Sequence, residues 1–554
     1  MSKSINIIEA KSRFGHPASY AFFKAGWFGA SFRSPLAGPL ATVFALVASA
    51  CTTVEVREPV DLAIRNVTVI SPERAAPLKN VDVLVNDGRI ISIERGSDYS
   101  AAQEIDGSGR FLTPGLIDSH VHLYHATGLN RRYTQSFDEL YEAFQEQQPR
   151  SYLYFGYTTV IELNADIDSN DRFQSAAVHP DLVHCGQGLV LSNDFMATDF
   201  DSEAEFLAAF PNFLHDRFMT PVLPDGFLAA DHTPTVTVAR IAESGGRCVK
   251  MYYEEALWWP SESRPPFGLP SAAIVREVVD AAHALGMPVV LHGTTPAAYK
   301  LAADAGIDVL AHGLWDWENA FLGHDDIPND AEEAIEEVAS ADIHIQPTMQ
   351  TIANTASLFT PDLLDDPNLS KVLPTAYVDY LRTDAQRGRE AFIQRNGPIL
   401  EKAFARGEAA SDDPEKMARA YFTRLQRVVT RLNTRGVPFL FGTDTAVGGP
   451  GWGNPPGLNG YWEMRNWAQA GVTLESVFEA ATLNNAEMFG LADELGSVQI
   501  GKRANLLLMS QNPLDSIAAY DSIDMILLNG VVLDRSMLTA GGYDPMGLDA
   551  KRRE

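Results

Sequence analysis

Two histidines that lie two positions apart, His120 and His122, close an apolar run that starts near Phe111. Side chains at positions i and i+2 of a strand point to the same side, so both imidazoles would face one ligand. Two imidazoles on one side of a strand end are a natural start for a zinc site. Surface strands also produce this spacing by chance, so the pair alone is weak evidence for a metal.

The same feature recurs further along the chain. Apolar runs end in a histidine at Val289-Val-Leu-His292 and at Val309-Leu-Ala-His312, and in an aspartate at Phe439-Leu-Phe-Gly-Thr-Asp444. One buried polar residue at a strand end is usually structural. Agreement among several strands favours a shared function, and imidazole and carboxylate groups are both metal ligands.

Lys250 lies near the end of another apolar run, Arg247-Cys-Val-Lys-Met-Tyr-Tyr253. An ammonium beside two metal ions would be repelled and desolvated, which lowers its pKa. The neutral amine could then react with carbon dioxide, and the resulting carbamate would offer two oxygens to a pair of ions about 3.5–4 Å apart. A lysine paired with a nearby carboxylate fits the sequence as well, and the residues alone do not separate these interpretations.

Short apolar runs alternate with helical stretches, such as 272–285 and 330–340, through the central part of the chain. The runs are 111–123, 157–163, 181–190, 247–253, 288–293, 307–313, 342–349 and 437–445. Eight strand–helix alternations predict an α/β fold, here a (β/α)8 TIM-type barrel. Barrel active sites lie at the C-terminal ends of the strands, where the candidate ligands stand.

Segments that flank this region alternate apolar and polar residues with the period of half-buried strands. They are 62–70, 81–85, 89–94, 504–509 and 524–528. We predict that both ends meet in a small composite β-sandwich with parts at 60–112 and 491–540. The barrel would then span 113–490, and its helical insertion at 351–435 would form a lid over the barrel mouth.

Charge restricts the class of partner. The 554 residues include 43 Lys and Arg against 72 Asp and Glu, which gives a net charge of −29. A strong negative field argues against nucleic acid and anionic membrane surfaces as partners. We therefore expect no nucleic-acid partner, and a solvated acidic surface is the simplest interpretation of the charge. The sequence leaves the oligomeric state open, a homo-oligomer included.

Residues 1–51 have the pattern of an export signal. Lys24 and Arg33 precede an apolar run at 36–50 that ends in small residues before Cys51. The run is shorter than the about 20 residues that a spanning helix needs. Cys51 also resembles the cysteine of a bacterial lipoprotein box, so simple cleavage and lipidation both stay open. We predict an exported protein, periplasmic or membrane-anchored as a lipoprotein of the bacterial envelope, with membrane contact only through an N-terminal lipid anchor.

Besides Cys51 the chain has Cys185 and Cys248, which is no disulfide framework. Both fall on runs that we interpret as neighbouring strands. One disulfide bridge and two buried free thiols are both compatible with this placement.

These residues resemble the amidohydrolase superfamily, in particular its imidazolonepropionase-like and Xaa-Pro or Xaa-Arg dipeptidase-like members. The resemblance covers roughly residues 60–535. Its motifs are Phe111-Leu-Thr-Pro-Gly-Leu-Ile-Asp-Ser-His-Val-His122, Phe441-Gly-Thr-Asp444, Thr482-Leu-Asn-Asn-Ala-Glu487 and Gly496-Ser-Val-Gln-Ile-Gly-Lys-Arg-Ala-Asn-Leu-Leu507. Asn505 departs from the pattern, because an aspartate commonly stands there, at a position far from the chemistry.

The resemblance implies a binuclear site with two divalent metal ions, for which zinc is the expected metal. The implied ligands of the buried ion are His120, His122 and Asp444, and those of the outer ion are His292 and His312. A CO2-derived carbamate on Lys250 would bridge the ions together with a hydroxide. The family also implies a barrel with a composite β-sandwich, in agreement with the periodicity.

The resemblance implies hydrolysis of an amide. Deaminase members use one metal and a glutamate shortly after the fifth-strand histidine, whereas no carboxylate occurs at 293–298 after His292. We therefore predict a metal-dependent hydrolase that cleaves a C–N amide bond in a small peptide, an N-acyl amide or a cyclic amide. Asp444 would move a proton from the hydroxide to the leaving amine. Tyr252 or Tyr253 would donate a hydrogen bond to the developing oxyanion, and packing is the competing role for both.

Two other functions stay open at this point. The same site would serve a lactone, a carboxylic ester or a phosphotriester, because a fold does not choose the bond. A non-catalytic envelope lipoprotein that binds metal or another ligand is the third interpretation, and the complete set of ligand residues argues against it.

Overall fold

A computed structural model of the chain describes residues 59–129, 137–219, 223–257, 266–317, 326–407, 411–446 and 451–541. The predicted export signal at 1–51 lies outside these residues, and all candidate ligands lie inside them. Within these ranges, none of the helices combines the length and the apolar character needed to cross a membrane.

The strands of the described ranges are numbered in chain order. They are β1 (Val60–Val69), β2 (Leu78–Asn86), β3 (Arg89–Glu94), β4 (Ala101–Asp106), β5 (Phe111–Pro114), β6 (Leu116–Val121), β7 (Tyr157–Glu162), β8 (Asp181–His184), β9 (Val249–Tyr253), β10 (Val289–Gly293), β11 (Val309–Ala311), β12 (His344–Gln346), β13 (Leu506–Met509), β14 (Ile523–Leu528) and β15 (Val531–Asp534).

The α-helices of the same ranges are numbered likewise. They are α1 (Asp138–Tyr154), α2 (Ile167–Ser175), α3 (Glu203–Ala209), α4 (Pro234–Glu243), α5 (Ala272–His283), α6 (Pro296–Ala305), α7 (Asn329–Ser340), α8 (Met349–Ser357), α9 (Leu369–Val372), α10 (Thr375–Ala405), α11 (Pro414–Thr434), α12 (Leu458–Gln469), α13 (Leu474–Glu479) and α14 (Asn485–Met488).

Two parallel sheets carry most of the candidate ligands. One has the strand order β6-β7-β8 and the other the order β12-β11-β10-β9. All pairings within both sheets are parallel, and helices stand between most successive strands. Every residue of β6 and β7 is buried, which explains why these strands are continuous apolar runs in the sequence. The predicted α/β fold with parallel strands is confirmed.

Isolated parallel bridges extend these sheets. They pair Leu189 with Met251, Ile345 with Phe439, and Val121 with Thr445. The predicted run at 437–445 thus bridges β12 on one side and β6 on the other, but in the described part of the chain it forms no ladder of its own. Asp444 has a φ of +56°, which takes the backbone out of the extended conformation there. Closure of the predicted barrel stays a prediction.

Other predicted runs are also shorter as strands than the sequence indicated, and two of them show why. The run at 111–123 divides at Gly115, so that β5 belongs to the flanking sheet and β6 to the central one. The run at 342–349 is a strand only within β12, since Thr348 has a φ of +45° and Met349 begins α8.

The two flanking segments meet in one sheet of order β15-β14-β13-β5-β1-β2-β3, with β4 paired to β1. The junction is an antiparallel pairing of β13 with β5, in which Leu508 lies opposite Leu112. Both side chains belong to a small hydrophobic cluster that also includes Ile64 and Val83. The predicted meeting of the two ends is present, and the two-layer sandwich stays a prediction.

Cys185 and Cys248 form a disulfide, with their Cα atoms 4.4 Å apart. Cys185 directly follows β8, Cys248 directly precedes β9, and both side chains are fully buried. Of the two arrangements compatible with the sequence, the structure has the bridge. It fastens the end of one strand to the start of the strand that carries Lys250.

Helices α8 to α11 occupy the predicted insertion at 351–435 and its edge. The Tyr421 ring of α11 lies 5.1 Å from the Trp315 ring, and the Arg424 guanidinium lies 4.6 Å from the Trp317 ring. Helix α11 therefore packs on the segment that follows β11, where His312 stands. Its role as a lid stays a prediction.

Candidate metal centre

Three buried side chains from the ends of two predicted strands meet at one point. Oδ1 of Asp444 lies 3.2 Å from Nε2 of His120 and 3.1 Å from Nε2 of His122. One ligand atom from each of the three side chains lies within 4.8 Å of the other two. Imidazole nitrogen and carboxylate oxygen at this spacing suit a divalent ion such as zinc.

His312 and His292 lie beside this group. Nδ1 of His312 is 3.9 Å from Oδ2 of Asp444, and its ring centre is 5.2 Å from that of His120. The ring centres of His292 and His312 are 4.4 Å apart. The chain thus brings all five sequence-predicted imidazole and carboxylate candidates to one place.

Lys250 completes the set from β9. Its side chain is buried, and its Nζ has no hydrogen-bond partner among the described residues. Burial lowers the pKa of Lys250 to about 7, against the opposing charge of Asp444. Across the described ranges no carboxylate forms an ion pair with Nζ, which disfavours the alternative of a lysine held by an acid.

Burial keeps several of the imidazoles neutral. It lowers the pKa of His120 and of His292 to about 3, and the nearby Lys250 charge acts in the same direction. Burial also lowers the pKa of His312 well below its ordinary value, and the neighbouring His292 acts in the same direction. Neutral imidazole is the form that binds a metal, because the ligand nitrogen must be deprotonated.

His122 differs because it lies between two acids. Burial lowers its pKa, but hydrogen bonds to Asp444 and Glu162 outweigh burial and raise the pKa to about 9. Burial raises the pKa of Asp444, but its contacts with the imidazoles of His120 and then His122 outweigh burial and hold that pKa well below its usual value. The carboxylate of Asp444 is therefore ionised among the imidazoles.

Three rings have one nitrogen bonded to a group outside this cluster. The contacts are His122 Nδ1 to Glu162 Oε1 at 3.1 Å, His292 Nε2 to Glu254 Oε2 at 2.8 Å, and His312 Nδ1 to Thr348 Oγ1 at 2.8 Å. The other nitrogen of each ring is left for the centre of the site, the usual arrangement of metal-binding histidines. Sequence reasoning missed all three partners. Their position just at or after strand ends was the available signal.

The backbone is strained where these side chains emerge. His312 and Asp444 have φ values of +78° and +56°, and Thr348 has a φ of +45°. Left-handed conformations at non-glycine residues cost of order 1–3 kcal/mol each and persist where the surroundings fix them, often at functional sites. Gly442 shows how close the packing is, since a Cβ there would lie 2.7 Å from Cβ of His120.

The two tyrosine candidates lie in different surroundings. The Tyr252 ring lies 5.5 Å from Nζ of Lys250 and 5.7 Å from the His292 ring. Tyr253 is the next residue of the strand, and it packs against the main hydrophobic cluster together with Val249. Tyr252 is therefore the better placed of the two to contact a substrate.

The donor set fits a divalent ion at His120, His122 and Asp444. Besides the buried Nζ of Lys250, Nδ1 of His120 has no hydrogen-bond partner in the described ranges, and Nε2 of His120 lies 3.2 Å from Oδ1 of Asp444. Unpartnered buried polar atoms are costly, so they indicate a ligand that completes their bonding. Imidazole nitrogens and carboxylate oxygens are ligands that zinc accepts.

The chain has recognisable relatives. Residues 419–533 match the model of the amidohydrolase family. L-hydantoinase from Paenarthrobacter aurescens is 32% identical over 104 residues, which are 19% of this chain and 20% of that protein. Imidazolonepropionase from Klebsiella pneumoniae is 44% identical over 57 residues, 10% of this chain and 14% of that protein.

Solved structures share the fold over a larger part of the chain. A Xaa-Pro dipeptidase with bound methionine has a TM-score of 0.57 and 17% identity, and the match covers 85% of this chain and 99% of that one. The predicted resemblance to amidohydrolases is thus confirmed, and the predicted class of enzyme agrees with it. The sequence matches span only a fifth or less of these two curated relatives, so the reaction of the whole protein is a matter of inference.

Proposed function

We propose that this chain is a metal-dependent hydrolase that cleaves a C–N amide bond in a small molecule. The observation that supports this most strongly is the convergence of the ligand candidates at one point. They are His120, His122, Lys250, His292, His312 and Asp444. The family match at 419–533 and the names of the relatives, a hydantoinase and a dipeptidase among them, support an amide as the substrate class.

In the proposed site, His120, His122 and Asp444 would hold one ion, and His292 and His312 would hold the other. The Nζ of Lys250, carboxylated by carbon dioxide, would add a negatively charged ligand. When bound, such a pair of ions supplies Lewis acidity and a water of lowered pKa. The buried Nζ without a hydrogen-bond partner supports a modified lysine, because a carbamate would give this nitrogen a bonded group in place of the missing partner.

The side chains of the chain itself then move the proton and orient the substrate. Asp444 accepts the proton of the attacking water as the new C–O bond forms, and delivers it to the leaving nitrogen as the C–N bond breaks. The hydroxyl of Tyr252 donates a hydrogen bond to the substrate oxygen as negative charge develops on it. Burial of the whole cluster strengthens each of these electrostatic contacts.

The proposal includes the architecture that the periodicity predicts. We propose that the bridges at Val121, Leu189 and Phe439 join the two parallel sheets and the 437–445 segment into a closed (β/α)8 barrel. The barrel would span 113–490, with the insertion at 351–435 as its lid and the two β parts at 60–112 and 491–540 beside it. The imidazole and carboxylate candidates lie at or just after the C-terminal ends of strands and strand-like runs, where barrel active sites lie, whereas Lys250 is the second residue of β9.

Export to the bacterial envelope remains part of the proposal. A disulfide between Cys185 and Cys248 is typical of oxidising compartments such as the periplasm. This supports the signal that we predict at 1–51. Mass analysis of the mature N-terminus tests it, and an intact leader in the mature protein would contradict export.

A substrate panel tests the proposed reaction. Metal-loaded protein is incubated with dipeptides, N-acyl amino acids, cyclic amides, lactones, carboxylic esters and a phosphotriester, with and without a chelator. We expect turnover of at least one amide, lost with the chelator and restored by metal. Turnover confined to lactones or esters would favour the second bond class, and binding without turnover of any compound would favour a binding protein.

A further inference from the structure

Glu254 lies just beyond the end of β9 and is fully enclosed, at 2% exposure. Its Oε2 lies 2.8 Å from Nε2 of His292 and accepts a hydrogen bond from Oγ1 of Thr294 at 3.2 Å. Its Oε1 accepts from the backbone N–H of Ala256 at 2.6 Å. The N–H of Ala256 and the hydroxyl of Thr294 both donate to this side chain, and an ionised carboxylate only accepts, so the contact with Nε2 is made by the tautomer of His292 that carries its proton there.

The surrounding loops hold this carboxylate in place. The carbonyl of Thr294, after β10, accepts from the N–H groups of Trp315 and Asp316, after β11. Oδ2 of Asp316 in turn accepts from the N–H of Leu257, three residues after Glu254, at 2.8 Å. Hydrogen bonds thus join the segments that follow β9, β10 and β11 into one cycle. These segments directly follow the strands that lead to Lys250, His292 and His312, so the hydrogen bonds hold the ends of these strands together.

We infer that Glu254 is a positioning residue for His292, and that its carboxylate fixes the ring with Nδ1, not Nε2, toward the centre of the site. This inference rests on the proposed function, since it assigns the ring nitrogen through which His292 holds the outer ion. A neighbouring carboxylate also makes an imidazole a stronger donor to a metal. Glu254 itself would touch neither the ions nor the substrate.

The chain offers a matched control in Asp216. It is as buried as Glu254, at 1% exposure, and also accepts three hydrogen bonds, from the N–H groups of Ser271 and Phe218 and from Oγ of Ser271. None of these donors is an imidazole. Asp216→Asn therefore reproduces the loss of a buried negative charge without a change at His292.

The test is a zinc titration against a competing chelator, on the full-length wild type, Glu254→Gln and Asp216→Asn, with bicarbonate present. We expect two ions per wild-type chain, one of them bound about 10–100-fold more weakly in Glu254→Gln and the other unchanged. Asp216→Asn should bind both ions as the wild type does.

Other results of this titration would distinguish a failure of the inference from a failure of the proposed function. Two ions bound by Glu254→Gln with wild-type affinity would overturn the positioning role and leave the hydrolase proposal standing. Equal weakening in Glu254→Gln and Asp216→Asn would also overturn it, because the effect would then be a general loss of structure. A wild-type chain that binds no zinc would overturn both.

Discussion

The carboxylate of Glu162, at the end of β7, lies 3.1 Å from Nδ1 of His122. Glu162 also accepts from the N–H groups of Leu123 at 2.5 Å and Asn164 at 2.9 Å, so its position is fixed by backbone. The pairing leaves Nε2 of His122 for Asp444. Glu254 holds His292 in the same manner, through the opposite ring nitrogen.

Replacement of Glu162 should weaken the binding of the buried ion. In Glu162→Gln the charge that orients His122 is lost while the size of the side chain is kept. We expect turnover to fall about 10–100-fold and one ion to bind more weakly, because partners of metal-binding histidines have effects of this size. Turnover and zinc content per chain are the measurements. Wild-type values for both would remove Glu162 from the site.

Replacement of Asp444 should separate binding from chemistry. Asp444→Asn keeps a ligand oxygen but cannot accept a proton, so we expect most turnover to be lost while substantial metal is retained. Steady-state kinetics and metal analysis on the same sample measure both quantities. Unchanged turnover would exclude Asp444 as the group that moves the proton.

A methyl group at Gly442 should disturb the site from behind. A Cβ there would lie 2.7 Å from Cβ of His120, so Gly442→Ala must displace β6, the strand that carries His120. Overpacking of this kind costs typically about 1–3 kcal/mol of unfolding free energy. Urea unfolding and metal content measure the effect.

Gly541 provides the comparison for that variant, since no atom lies within 4 Å of a Cβ built there. Gly541→Ala should leave both unfolding and metal content unchanged. If Gly442→Ala behaved in the same way, the close contact between Gly442 and His120 would be refuted.

The buried disulfide should stabilise the fold considerably. Cys185 and Cys248 are 63 residues apart, and closing a loop of this length stabilises by about 4 kcal/mol in the chain-entropy model. A double Cys185→Ser and Cys248→Ser variant should therefore unfold at lower urea concentration than the oxidised wild type. The variant should also be insensitive to reductant. Equal midpoints for the variant and the oxidised wild type would show that the bridge does not form.

The sequence predicted the imidazole and carboxylate ligands because they lie at or near the ends of apolar runs. Lys250 differs, since it is the second residue of β9. His292 and His312 end apolar runs in one parallel sheet, and such runs are visible without any structure. Glu162 also ends an apolar run. It was missed because its contact with His122 joins residues of two different strands, which the sequence alone does not show. The contact of Glu254 with His292 spans 38 positions and depends on the register of β9 against β10.

Strand boundaries were less predictable than strand positions. The 437–445 run has the composition of a strand, yet Asp444 turns it into the left-handed region at the point where it meets His120. Thr348 interrupts the 342–349 run in the same way, and there its hydroxyl bonds His312. Local composition does not indicate these positive φ values. They follow from contacts between distant segments.

Metal content per chain tests the central claim most directly. Wild-type protein and Lys250→Ala are stripped, reconstituted with zinc in the presence and absence of bicarbonate, and assayed for ions per chain. We predict two ions per wild-type chain with bicarbonate, and a loss of stoichiometric binding in Lys250→Ala that bicarbonate does not restore. Fewer than one ion per wild-type chain under these conditions would contradict the account.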